Sequence, residues 1–282
     1  MIWIQYAWLL PVGFLVGVFG TLIGAGGGFI LAPLLLLFYP QESPDIITCI
    51  SLAVVFFNAA SGSVAYARMK RVDYKSGIIF SIATIPGAIL GALSTAYIPR
   101  RAFDLIFGIL MMLAAFYLWA SAREDHSAKT GEHAGHKRRM NAAHLTDRHL
   151  IDADGVEYHY AFDARLGVAL SVFVGFVSSL LGVGGGFIHV PALTRLLDFP
   201  VHVATATSHF VLAVMALTGT LVHIAGGAFV HGVRRTALLA LGVIVGAQFG
   251  AALSNRVSGR MIIRGLAVAL AFVGLRLILS EF

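Results

Sequence analysis

Apolar residues run along this chain in long stretches, at residues 6–39, 46–67, 76–97 and 103–122, and again at 166–194, 203–225, 236–255 and 261–279. Most are about 20 residues long, the length at which a helix crosses roughly 30 Å of hydrocarbon. None shows the short alternating strands of a membrane barrel. A backbone in lipid must satisfy its amides within its own segment, so the runs predict helices. The expected fold class is therefore all-α, a polytopic transmembrane bundle. The first run begins without the basic stretch of a signal peptide and reads as a retained membrane segment.

The runs fall into four plus four, and the halves match. "GTLIGAGGGFILAPLLLL" aligns with "SSLLGVGGGFIHVPALTRLL", pairing Gly24, Gly26, Gly27, Gly28 and Pro33 with Gly182, Gly184, Gly185, Gly186 and Pro191 at a constant offset of 158. Thr48 and Ser51 pair with Thr205 and Ser208, and Gly62 with Gly219. Duplication is the simplest account, and internal repeats are a common way to build a secondary transporter. The expected organisation is an N-terminal transmembrane repeat at 1–122, a polar linker at 123–163 and a C-terminal transmembrane repeat at 164–282.

The linker holds eight acids, six bases and six histidines. It cannot enter the membrane and reads as a solvated loop. The spacing of His126, His133 and His136 matches no standard metal site, so no metal is expected. Orientation follows from the basic residues. Arg68, Lys70, Arg71 and Lys75 crowd the second connection, against Glu42 and Asp45 in the first. The second connection and the linker, two crossings later, are thus expected to be cytoplasmic.

The direction of the repeats is open to two arrangements. Residues 6–39 make 34, about 51 Å as continuous helix, too long for one upright crossing and short for two. If that segment crosses, the halves are parallel; if it turns back as a re-entrant hairpin, they are inverted. Basic residues divide almost evenly between the arrangements and do not decide, while length slightly favours the second.

Composition agrees with a membrane protein: 58% hydrophobic, 12% charged, mean hydropathy +0.85. The net charge of +6 resides in the connections, which reads as topology and not as a nucleic-acid footprint. The lone Cys49 excludes an intramolecular disulfide framework.

The glycines need a reason, since each costs about 1 kcal/mol against alanine in a helix. Gly13 and Gly17, and Gly246 and Gly250, have the spacing of close-packed membrane helices. Three consecutive glycines spread around a helix and serve no single face. A dinucleotide loop needs a further glycine where Phe29 and Phe187 stand, and a Walker loop needs a Gly-Lys-Ser/Thr that is absent. The favoured reading is that Gly26, Gly27 and Gly28, with Gly184, Gly185 and Gly186, unwind the chain near midplane. Half-helices then begin at about Gly28 and Gly186, and their unpaired amides and dipole ends form an anion site. Thr48, Ser51 and Asn58, with Thr205, Ser208 and His209, complete the expected substrate-binding ring. Histidine within a span is a functional candidate by default. His209 and His223 are the proton-coupling candidates, although His223 reads more readily as one satisfied by a neighbouring carbonyl. His189 and Gln248 are weaker candidates.

With "GxGGGF…P" repeated at Gly24 to Pro33 and Gly182 to Pro191, and "ATATSHF" at Ala204 to Phe210, the chain closely resembles the sulfite exporter (TauE/SafE) family of membrane permeases. The likeness covers both halves and not the linker. It implies a multi-pass inner-membrane protein that moves small sulfur-containing anions, such as sulfite or sulfonates, without a cofactor. The expected partners are that anion and the lipid bilayer; a homodimer is left open, as is a regulatory or partner-binding role for the linker, which is long for this family pattern. Competing readings are a channel, a permease for another small organic anion and a non-transporting sensor. An enzyme is not expected, because neither a serine elbow nor an HExxH motif occurs.

Overall fold

A computed structural model describes residues 6–124, 145–254 and 260–279. The elements are α1 (Leu9–Ile23), α2 (Gly28–Phe38), α3 (Pro44–Arg68), α4 (Tyr74–Thr95), α5 (Arg100–Glu124), β1 (Leu145–Ile151), β2 (Glu157–Asp163), α6 (Ala164–Leu181), α7 (Gly186–Leu196), α8 (Val201–Ala225), α9 (Val233–Leu253) and α10 (Arg260–Leu279). Five of them, α3, α4, α6, α8 and α9, are long and apolar enough to cross a membrane. Short polar residues start several of these helices. Ser43 caps α3 ahead of Pro44, the Asp73 carboxylate accepts from the Ser76 amide at 3.1 Å, and Asp163 caps α6.

Between α1 and α2 the helix is interrupted. Gly24 ends α1 with φ +81°, and the Ala25 and Gly26 amides return to the Gly20 carbonyl at 2.8 and 3.1 Å. Gly27, also left-handed at φ +79°, begins α2 without a side-chain cap. The chain reverses here: a Cβ on Gly27 would stand 2.7 Å from Val16 Cγ1, eleven residues back. Trp8, before α1, meets Phe38, at the end of α2, edge to face at 5.3 Å. The two helices therefore lie side by side with their outer ends together. A corresponding reversal separates α6 from α7, with Gly182 and Gly184 left-handed and Gly185 at φ −63°. A Cβ on Gly185 would stand 2.6 Å from Ser178 Oγ, and one on Gly167, early in α6, 3.4 Å from Leu197 Cδ1, just past α7.

The described elements form two compact units, Met1–Ile98 with Thr146–Arg256, and Pro99–Leu145 with Val257–Phe282. In the first, α1 packs along α9, α6 along α4, and α3 along α8. Small residues permit these approaches, as expected where lipid removes the hydrophobic drive between helices. A Cβ on Gly17 would stand 2.7 Å from the Val243 carbonyl oxygen; Gly246 and Gly250 rest in turn on the carbonyls of Phe14 and Val18. Gly87 and Gly91 of α4 rest likewise on Val172 and Phe176 of α6. Ile82, Leu90 and Leu93 on α4, and Leu241 and Phe249 on α9, are exposed and suit lipid contact. The second unit pairs α5 with α10, where a Cβ on Gly108 would stand 2.9 Å from the Gly274 carbonyl oxygen.

The linker departs from its expected form. Its last part, from Leu145, is a β-hairpin instead of a solvated loop. Tyr158, Tyr160 and Phe162 alternate along β2, and the buried Tyr160 and Phe162 cluster with Phe80, Leu197 and Phe199. The Ala153 amide donates to the Met69 carbonyl at 2.9 Å, tying the hairpin turn to the end of α3. His126, His133 and His136 lie outside the described residues.

Candidate functional site

The two glycine breaks meet inside the first unit. A Cβ on Gly28 would stand 2.5 Å from the Val183 carbonyl carbon, and one on Gly186 would stand 2.6 Å from Ala25 Cα. Ala25 and Val183 are wholly buried, and Val55 of α3 and Leu212 of α8 close in beside the glycines. Bare backbone thus packs on bare backbone, and only glycine admits that approach. The starts of α2 and α7 come together here, and neither has a side-chain cap.

The residues expected to ring one anion divide into separate groups. Thr48 and Ser51 stand at the second break: Ser51 Oγ donates to the Gly182 carbonyl at 2.6 Å, and Thr48 Cγ2 lies 3.2 Å from the place of a Gly182 Cβ. Thr205 holds the matching place at the first break, its Cγ2 2.7 Å from a Gly24 Cβ. Asn58 and His209 belong to a group beside α1. Thr21 Oγ1 donates to Asn58 Oδ1 at 3.1 Å, and Tyr66 Oη donates to the Thr21 carbonyl at 2.9 Å. The His209 ring meets Tyr66 edge to face at 5.5 Å, with Nε2 3.1 Å from a Gly62 Cβ. Ser208 joins a third group, with Oγ 3.4 Å from His189 Nδ1; the other ring nitrogen lies 3.5 Å from Ser171 Oγ.

Buried polar atoms ordinarily have partners. Among the described residues, Thr48 Oγ1, Asn58 Nδ2, Ser178 Oγ, Ser179 Oγ and both nitrogens of His209 are buried without one in the protein. The Thr205 carbonyl approaches His209 from one turn back without meeting full hydrogen-bond geometry. Because Thr21 occupies the Asn58 carbonyl oxygen, the Asn58 amide nitrogen is left to donate elsewhere. It lies 3.0 Å from the place of a Gly20 Cβ, and the Gly27 amide nitrogen is nearer still, so two nitrogens stand beside one bare Cα.

Hydrogen-bonded pairs and ion pairs stand at both ends of α3. At its start, His223 Nδ1 lies 2.5 Å from Asp45 Oδ1, so His223 is partnered by a carboxylate and not, as expected, by a carbonyl. Arg235 bonds Glu42 at 2.7 Å and lies over the Tyr39 ring at 4.0 Å. Beyond the other end, Arg71 forks to Asp152 and Asp154, each at 3.2 Å. Burial alone would raise the Asp152 carboxyl, but the Val156 amide, Arg71 and the Asp154 amide outweigh it and hold the pKa below the usual range. Asp73 accepts from Tyr160 Oη at 2.8 Å and Ser76 Oγ at 2.5 Å, while its own amide donates to Thr207 Oγ1 at 3.0 Å. Burial, then the Asp73 charge, pushes the Tyr160 phenol up.

Thr21, Tyr66, Ser171, Ser178 and Ser179 escaped the sequence reading. Thr21 and Ser179 occupy equivalent places before the two glycine clusters, which is the signal that marks them.

The family model of the sulfite exporter TauE/SafE matches residues 9–277. A probable membrane transporter protein of Bacillus subtilis (strain 168), YunE, is 33% identical over 277 residues, covering 96% of each chain. A probable membrane transporter protein of Methanocaldococcus jannaschii is 25% identical over 283 residues, covering 96% of this chain and 94% of its own. A second Bacillus subtilis protein of that description, YdhB, is 26% identical over 272 residues, covering 96% and 99%. No solved structure matches.

Proposed function

The chain belongs to the sulfite exporter TauE/SafE family, and from that premise we propose a secondary active carrier of small sulfur-containing anions, such as sulfite or sulfonates. In this reading it resides in the inner membrane with the linker on the cytoplasmic side. The halves, 1–122 and 164–282, are inverted repeats. Each begins with a hairpin that enters and leaves by one side, followed by three crossings, an odd number. The chain reversal at Gly27 and at Gly185 supports this, as does the exchange of partners, α1 with α9 and α6 with α4.

The single observation that carries the proposal is the meeting of two uncapped helix starts at Gly28 and Gly186. When the halves rock apart, the amides of Gly27 and Gly28 and of Gly184, Gly185 and Gly186 face an anion held between two positive dipole ends, and Gly26, whose amide is held by the Gly20 carbonyl, leaves its bare Cα beside it. Thr48 and Thr205 stand at the breaks with their hydroxyls; Ser51 holds the second break through the Gly182 carbonyl, and Ser208 reaches the anion from the His189 side. Asn58 adds its free amide, and His209 donates to the anion or carries the coupled proton. Sulfite and sulfonates present three oxygens in a tripod, which suits such convergent donors. The ion pairs at both ends of α3 are the gates, and the arrangement with both sets formed is the occluded state.

Proteoliposomes carrying the purified protein test the reading with a panel of sulfur oxyanions. A carrier gives saturable uptake and counterflow, whereas a channel gives neither. Absence of flux for every sulfur oxyanion would overturn the proposal in favour of a permease for another anion or a sensor.

A further inference from the structure

The outward face of the β1–β2 hairpin carries a cluster that transport does not use. The Asp152 amide bonds the Val156 carbonyl at 3.0 Å, and this register brings His149 directly opposite His159. Glu157 lies two residues before His159, on the same face. The imidazoles stack with centroids 4.1 Å apart and planes inclined by 15°. Each Nε2 lies 3.6 Å from the same oxygen, Glu157 Oε2. The buried Tyr160 and Phe162 hold the opposite face of the hairpin, so this outward grouping is fixed by the register and not by a loose loop.

The spacing approaches that of a ligand set, and rotation of the two exposed, stacked rings about their side-chain bonds turns both Nε2 lone pairs onto a shared ion. Nitrogen and oxygen atoms about 2.0–2.1 Å from a tetrahedral ion stand roughly 3.4 Å from one another. All three ligand atoms here lie within 4.8 Å of each other. Two imidazoles and one carboxylate are donors that suit zinc and its neighbours, and the exposure of all three side chains leaves the fourth position to water.

We propose that His149, Glu157 and His159 form a binding site for a divalent transition-metal ion of the zinc class. The ion joins β1 to β2 and stiffens the hairpin whose turn bonds Met69 and whose Asp152 and Asp154 hold Arg71. It thereby couples metal supply to the end of the bundle where α3 leaves the membrane. Spacing along the chain does not reveal this set, because its members come from two strands.

The test uses the full-length protein in detergent, purified without a polyhistidine tag and titrated with Co2+ and then Zn2+. The expected result is a visible d–d absorption of a Co2+ ion with fewer than six ligands, displaced by Zn2+. The double variant His149→Gln/His159→Gln loses that band and one bound equivalent. Glu157→Gln binds more weakly by at least the roughly tenfold that loss of a mere outer-shell partner costs. Unfolding curves without metal should coincide for all forms, since the three side chains are exposed. An unchanged band and stoichiometry in the double variant, or no band in the parent protein up to millimolar Co2+, overturns the proposal.

Discussion

The two glycine breaks reverse the chain at matching places and differ in the chemistry around them. At the first, Gly62 faces His209 and Thr21; at the second, Gly219 faces Leu52 and Ser179, at 2.8 and 2.9 Å from the place of its Cβ. Asn58 beside Gly20 answers to Met215, whose sulfur lies 3.5 Å from a Gly185 Cβ. The difference runs the other way on α7, where His189 between Ser171 and Ser208 occupies the place that Leu31 holds on α2. Positions where backbones touch are held to glycine in both halves, while the flanking side chains differ. A frame of matching geometry thus offers two unlike polar settings.

Several substitutions break or sharpen this comparison. Gly28→Leu and Gly186→Leu act where the halves are alike, so each should abolish flux in proteoliposomes while leaving membrane insertion intact. Survival of transport in either would remove the crossing from the site. Asn58→Ala against Met215→Ala tests where they differ. Loss of a donor to a charged ligand is worth about 1.5–3 kcal/mol, so Asn58→Ala should weaken anion binding by about tenfold or more and Met215→Ala should leave it near the parent value. Equal effects would mean that the polar cluster beside α1 takes no part in recognition.

A smaller contrast concerns the backbone itself. Gly27 is left-handed whereas Gly185 has φ −63°, so Gly27→Ala meets a backbone strain of about 1–2 kcal/mol that Gly185→Ala does not, while the Cβ of Gly185→Ala meets Val174 and Ser178. Both should lower the thermal unfolding midpoint, and Ser178→Gly should relieve Gly185→Ala and not Gly27→Ala. His209→Gln should uncouple transport from a proton gradient and retain binding; full gradient-driven transport at every pH would dispose of that role. The smallest effect is expected at the hairpin. Because the Asp152 pKa is depressed, its ion pair with Arg71 stabilises the fold above the ordinary carboxylate range and is lost as pH falls through the lower folded value. Amide protection at residues 145–163, measured relative to intrinsic exchange at each pH, should therefore fall at acid pH in the parent protein, and Asp152→Asn should already show the lower protection at neutral pH.

Much of the fold was legible because lipid imposes one rule, that amides be satisfied locally, and long apolar runs announce it. The glycine pairs and the small-residue spacing at Gly13, Gly17, Gly246 and Gly250 likewise announce where backbone must approach backbone. The site was less legible, since helical spacing tells which side chains share a face and not which neighbour they meet. Ser208 faces the same way along α8 as Thr205, yet it meets His189 on α7. The hairpin was hidden by charge: the acids and bases of the linker masked the alternation of Tyr158, Tyr160 and Phe162, whose burial depends on partners in α4 and beyond α7.

Neither half keeps its own first helix. Since α1 lies along α9 and α6 along α4, a gene cut at the linker would yield two fragments that each display an unfilled seam. Such fragments should be degraded when made singly and should rescue one another when made together.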